Sequence, residues 1–138
     1  MIVESNQGER EAITVLIADD HAIVRQGLRT YLDLQPDMRV VAEAADGQQA
    51  IEGVRNLLPD VVLMDLVMPV MDGVEATRAV TALSPSTRVI VLTSFSEDDQ
   101  VFASIKAGAQ GYLMKDVLPQ ELVRAIRTVH REIGRAHV

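Results

Sequence analysis

The sequence predicts an α/β domain: a single parallel sheet of five strands, doubly wound with helices on both faces. Three observations lead there. Five short strand-like runs recur along the 138 residues: Ile13 to Ala18, Arg39 to Ala44, Val61 to Met64, Val89 to Leu92 and Gly111 to Met114. Each is followed by a stretch whose apolar residues return at helical spacing. Most of the runs are apolar throughout rather than alternating, as strands are when helices cover both faces. A regular strand–helix alternation of this kind is the pattern of a parallel sheet.

Taken in order, residues 1–12 show no period and read as a flexible leader. The first strand ends on Asp19-Asp20. The helix after it spaces Val24, Leu28 and Leu32 by four on an inner face, turns Arg25, Arg29 and Asp33 outward, and is closed by Pro36. After the second strand, Asp46 stands three residues before Gln49, the spacing of a capping box. That second helix sends Ile51, Val54 and Leu58 inward, and Pro59 leads into the third strand, which ends on Asp65. Asp72 and Glu75 repeat the cap, ahead of a buried face of Ala76, Ala79, Val80 and Leu83. Ser84-Pro85-Ser86 is a turn, and the fourth strand ends on Thr93-Ser94. Ser96 with Asp99 caps a fourth helix whose inner residues are Val101, Phe102 and Ile105, and Gly108 stops it. The fifth strand ends on Lys115-Asp116. A last helix starts near Pro119 with a stripe of Leu122, Ile126, Val129 and Ile133, although Leu118 is a poor cap.

Composition narrows the function. There is no cysteine, which excludes disulfides, thiol catalysis and thiolate zinc sites. The net charge of −7 makes the chain a poor binder of nucleic acid through a basic surface. Arg124, Arg127 and Arg131 therefore read as the solvated face of the last helix. No apolar run approaches a membrane span and no hydrophobic signal precedes the first strand, so a soluble, cytoplasmic protein is expected.

In open parallel sheets ligands bind beyond the carboxyl ends of the strands. Those ends carry Asp19 and Asp20, then Asp65, then Thr93, then Lys115, one of only two lysines in the chain. Three converging carboxylates repel one another unless a hard cation neutralises them, and Mg²⁺ suits oxygen ligands of this kind. A hydroxyl and an ammonium opposite such a cation suit an incoming anion. A phosphoryl group carried on Asp65 fits all of them, because carboxylates act as nucleophiles in phosphoryl transfer. His21, next to the acid pair, reads as the solvated start of the first helix and is left outside the site.

Read together, the segments LIADDHAIVRQGL, DVVLMDLVMPVMDG, VIVLTSF and AGAQGYLMKD resemble the receiver domain of two-component response regulators, and within it the NarL/FixJ (LuxR-type) subfamily. The resemblance runs from about Thr14 to Ile133. It implies a flavodoxin-like (βα)5 fold over residues 13–134, with 135–138 starting a linker to an output domain absent from this chain. It implies Asp65 as the phospho-acceptor, and Asp19, Asp20, Asp65 and the backbone carbonyl of Val67 as ligands of Mg²⁺, for which Mn²⁺ can substitute. Thr93 and Lys115 contact the phosphoryl group, and Thr93 with Tyr112 forms the switch. The implied partners are a sensor histidine kinase and, once phosphorylated, a second copy of the chain. DNA is reached only through the missing domain, and the chain is a signalling switch rather than an enzyme with an external substrate. Two rival readings fit less well. A haloacid-dehalogenase-type phosphohydrolase places its nucleophile after the first strand in a D-x-D pattern, and a flavin module needs a phosphate-cradling loop where this chain has two acids.

Overall fold

The structure, a computed structural model, describes residues 12–94 and 98–135, with residues 98 and 132–135 described by backbone alone. Residues 1–11 of the leader, Phe95, the expected cap at Ser96, residues 136–138 and the Ile133 side chain lie outside that description. Five strands alternate with five helices: β1 (Ile13–Ala18), α1 (Ala22–Asp33), β2 (Met38–Ala44), α2 (Gly47–Leu57), β3 (Val61–Asp65), α3 (Gly73–Leu83), β4 (Arg88–Thr93), α4 (Asp98–Lys106), β5 (Gly111–Met114) and α5 (Pro119–Arg135). All neighbouring strands are parallel, in the order β2-β1-β3-β4-β5. The chain thus winds outward both ways from β1 and β3, and the order reverses between those two strands.

Successive strand residues face opposite sides, so each strand feeds two cores. Leu16, Val62, Met64, Val89 and Val91 pack with Ala50, Ile51 and Val54 of α2 and Ala76 and Val80 of α3. Val15, Ile17, Val61, Leu63, Ile90 and Leu92 pack on the other side with Leu32 of α1 and Leu122, Val123 and Ile126 of α5. The predicted caps of α2 and α3 form: Asp46 accepts from the Gln49 N–H at 2.8 Å, and Asp72 from the Glu75 N–H at 3.0 Å. Gln49 reaches back to the Ala45 N–H rather than to its cap residue.

Several expected positions move. Leu58 does not point inward. It follows the last turn of α2 with φ 47°, a left-handed geometry that swings its side chain into solvent. Leu83, the last residue of α3, is also exposed, as is Val24 in the first turn of α1. Of the three apolar residues expected inward on α4, Val101 packs against the core, while Phe102 and Ile105 are exposed. The inward stripe there is Val101 and the fully buried Ser104, whose hydroxyl donates to the Val101 carbonyl at 2.7 Å. The helix is rotated from the expected face, and Phe102 instead packs under the Lys106 ammonium, 4.8 Å from its ring centre. Arginines expected in solvent are engaged instead. Arg127 on α5 forks onto Asp37 at 2.8 and 2.9 Å, and Arg25 on α1 pairs with Glu43 of β2.

Candidate functional site

Register brings the strand ends together. Ala18 stands opposite Met64, Asp65 opposite Leu92, and Thr93 opposite Met114. Asp19, Asp65, Thr93 and Lys115 therefore lie along one edge of the sheet, Asp19 and Asp65 on either side of the point where the strand order reverses. Asp19 is fully buried, and its Oδ1 accepts from the His21 N–H at 2.8 Å. Asp20 is its partly exposed neighbour, with a side chain 32 % exposed. Asp65 is buried at the end of β3 and accepts from the Val67 N–H at 3.3 Å. Lys115 Nζ stands 3.0 Å from Asp65 Oδ2 and 3.5 Å from Asp19 Oδ2. Both of these carboxylate oxygens are buried, and apart from Lys115 neither has a partner among the described residues.

The pocket is electrostatically tense. Burial raises the Asp65 pKa, Asp19 raises it further, and the Lys115 ammonium offsets only part of this. Burial pulls Lys115 down, but Asp65 and Asp19 outweigh it and its pKa ends above 10.5, so it stays charged. Ligand atoms of Asp19, Asp20, His21 and Asp65 all lie within 4.8 Å of one another. Buried carboxylate oxygens with a single ammonium between them, in such a cluster, fit a hard divalent cation. The donor set is thus compatible with the metal that the sequence suggests.

The loop after β3 is shaped by close backbone approach. The Gly73 N–H donates to the Leu66 carbonyl at 2.9 Å, and a Cβ on Gly73 would meet Asp65 O at 2.2 Å. The Gly47 N–H donates to the Met71 carbonyl at 3.1 Å, tying α2 to the same loop. At its tip Val70 has φ 68°, inside a tight turn closed by the Met71 N–H on the Pro69 carbonyl at 2.6 Å. Val67 sits in this loop, half-exposed.

Thr93 is buried, with its hydroxyl donating to the Ser94 carbonyl at 2.9 Å. Its own carbonyl accepts from the Lys115 N–H at 2.8 Å. Tyr112 lies farther along β5 and is 54 % exposed. A recess of about 350 Å³ lies between them, lined also by Val101, Phe102, Ile105 and Met114. The structure thus gathers Asp19, Asp20, Asp65 and Lys115 with Thr93 beside them, and sets Tyr112 apart across that recess.

Two groups were missed. His21 stands with Nδ1 3.2 Å from Asp19 Oδ1 and 3.1 Å from Asp20 Oδ1, inside the cluster rather than merely at a helix start. Its adjacency to the acid pair was the available signal. Arg25 donates to the Asp19 carbonyl at 2.6 Å. Nothing in the local sequence marks that contact, because Glu43, which holds Arg25, arrives only through the pairing of β2 with β1.

The family model for the response regulator receiver domain matches residues 15–127, a span that contains every one of these site residues. The chain belongs to the response regulator receiver domain family. The receiver is 46 % identical over 119 residues to the transcriptional regulatory protein LiaR of Bacillus subtilis, covering 86 % of this chain and 56 % of LiaR. It is 43 % identical over 119 residues to the response regulator protein VraR of Staphylococcus aureus, covering 86 % of this chain and 57 % of VraR. It spans a little over half the length of these curated relatives. Among solved structures, the signal receiver domain of NarL from Mycobacterium tuberculosis superposes with a TM-score of 0.83 at 36 % identity, covering 88 % of this chain and 98 % of that one. A LuxR-family two-component response regulator from Aurantimonas gives 0.82 at 36 % identity, covering 88 % and 86 %. The relatives thus include the NarL- and LuxR-type regulators that the sequence motifs suggest. Among the described residues no helix is long and apolar enough to cross a membrane.

Proposed function

We propose that Asp65 is the phospho-acceptor of this receiver and that Asp19, Asp20, Asp65 and the Val67 carbonyl hold Mg²⁺, with Mn²⁺ able to substitute. The observation that carries the reading is the Asp65 carboxylate: buried at the end of β3, with Lys115 at 3.0 Å and the Asp19–Asp20 pair within reach. An ionised Asp65 oxygen attacks the phosphorus of an acyl phosphate or of a kinase phosphohistidine. The bond to the donor breaks and the donor leaves with the electron pair, so no proton need be removed from Asp65. A bound divalent cation would neutralise the acid cluster and offset the charge that develops during transfer. Lys115 is placed to pair with a phosphoryl oxygen, and the Thr93 hydroxyl to donate to another.

Movement of Thr93 toward that group would open the recess behind it to the Tyr112 ring. The state of the site would thereby be coupled to the face formed by α4, β5 and α5. The receiver comprises residues 13–134. Its phosphorylated form pairs with a second copy and acts on DNA through an output domain, in the cytoplasm, under a sensor histidine kinase. The chain catalyses only its own phosphorylation and dephosphorylation.

Incubation with acetyl phosphate followed by intact mass measurement tests the reading. One phosphoryl group should add with Mg²⁺ or Mn²⁺ and none in EDTA. An adduct that forms equally well in EDTA would overturn the proposed metal requirement.

A further inference from the structure

The end of β1 is held by a side chain that the proposed chemistry leaves unused. β1 and β2 pair as far as Ala18 and Ala44, and the Asp19 N–H still donates to the Ala44 carbonyl at 3.0 Å. An extended residue turns its N–H and C=O to the same side, but β2 supplies no further donor. In a parallel ladder the next donor would be the Asp46 N–H, but β2 ends at Ala44 and Asp46 turns away to cap α2. The Asp19 carbonyl accepts instead from Arg25 Nη1 at 2.6 Å. Where the second strand stops, a guanidinium completes the ladder.

That guanidinium is itself held. Arg25 Nε donates to Glu43 Oε1 at 3.0 Å, and Arg29 Nη1 to Glu43 Oε2 at 2.8 Å. The Arg25 side chain is 17 % exposed and that of Glu43 28 %, so the pair is partly shielded from salt. Glu43 directly precedes Ala44, so one ion pair joins α1, β1 and β2 at the corner that carries the acids.

We infer that Arg25, oriented by Glu43, is a positioning residue of the acid site: it fixes the Asp19 main chain so that the Asp19 and Asp20 carboxylates stay aimed at one cation position. The inference rests on reading the cluster as a cation site. Its charge and its geometry make opposite demands. A positive group beside the acids opposes cation binding, so if charge alone mattered, its removal would tighten Mg²⁺ binding. If positioning dominates, removal loosens it.

The experiment titrates Mg²⁺ by calorimetry into the 138-residue chain and its Arg25→Gln, Arg25→Lys and Glu43→Gln variants. In parallel, NMR follows amide exchange of Asp19 and His21 in EDTA. Arg25→Gln should weaken Mg²⁺ binding about tenfold, as loss of an outer-shell partner does. Arg25→Lys should recover part of the affinity, and Glu43→Gln, which keeps the Asp19 contact, should cost less. In Arg25→Gln the two amides should exchange about tenfold faster while β3 core amides hold their protection. Unchanged or tighter binding, or unchanged exchange at Asp19 and His21, would overturn the inference. A wild-type chain that binds no Mg²⁺ would remove the cation reading, and the exchange rates in EDTA would then decide whether Arg25 holds the turn.

Discussion

Asp65 is buried beside Asp19, and that burial raises its pKa more than Lys115 lowers it. The sign of the consequence follows from linkage. A carboxylate whose folded pKa is raised holds its proton more tightly when folded, so its ionisation opposes folding. That penalty is absent below its ordinary value of 3.8 and complete above the raised one. Asp65→Asn replaces the charge with a neutral group of the same shape. In EDTA at neutral pH the variant should have a higher Tm than wild type, and the gap should close as the pH falls toward 3.8. A variant less stable than wild type at neutral pH, or a gap that ignores pH, would contradict this. The site is therefore built at some cost in stability, as functional sites often are. Lys115 adds the reverse dependence. Its raised pKa gives stability that is present at neutral pH and is lost only as the pH climbs through its folded value.

The elements around Asp65 owe their positions to two glycines. Gly73 and Gly47 are needed for space: a Cβ on either would strike backbone, Asp65 O at 2.2 Å or Met71 O at 2.4 Å. Gly73→Ala should destabilise the fold by about 1–3 kcal/mol or more, since backbone must shift to admit the methyl group. Gly111→Ala, where a Cβ meets nothing within 4 Å, should stay within about 1 kcal/mol of wild type. Urea denaturation of both variants checks the pair, and equal losses would refute the close-approach account. The sequence made the strand–helix order and the caps at Asp46 and Asp72 readable because those signals are local: a period, a side-chain oxygen, a spacing of three. Leu58 and Phe102 were misplaced because periodicity gives a helix a face but not its last residue or its rotation on the sheet. The acids were readable from their places at strand ends. Arg25 was not, because its partners Asp19 and Glu43 are set by the pairing of separate strands.

In the molecule as a whole, the order β2-β1-β3-β4-β5 gathers residues from the first, third, fourth and fifth strands onto one edge. Helices cover both faces, so that edge is where buried charge can meet solvent and partners. LiaR, VraR and the NarL receiver are similar to this chain over most of its length, which puts it in a family of signalling domains. The central claim is that this gathering makes Asp65, and no other carboxylate of the cluster, the group that carries phosphate. Sodium borohydride reduces an acyl phosphate to the alcohol and so leaves homoserine wherever an aspartate was phosphorylated. After treatment with acetyl phosphate and Mg²⁺, then borohydride, peptide mass spectrometry should find homoserine at position 65 alone, and nowhere in Asp65→Asn. Homoserine at position 19 or 20, or reduction that persists in the Asp65→Asn chain, would contradict the account.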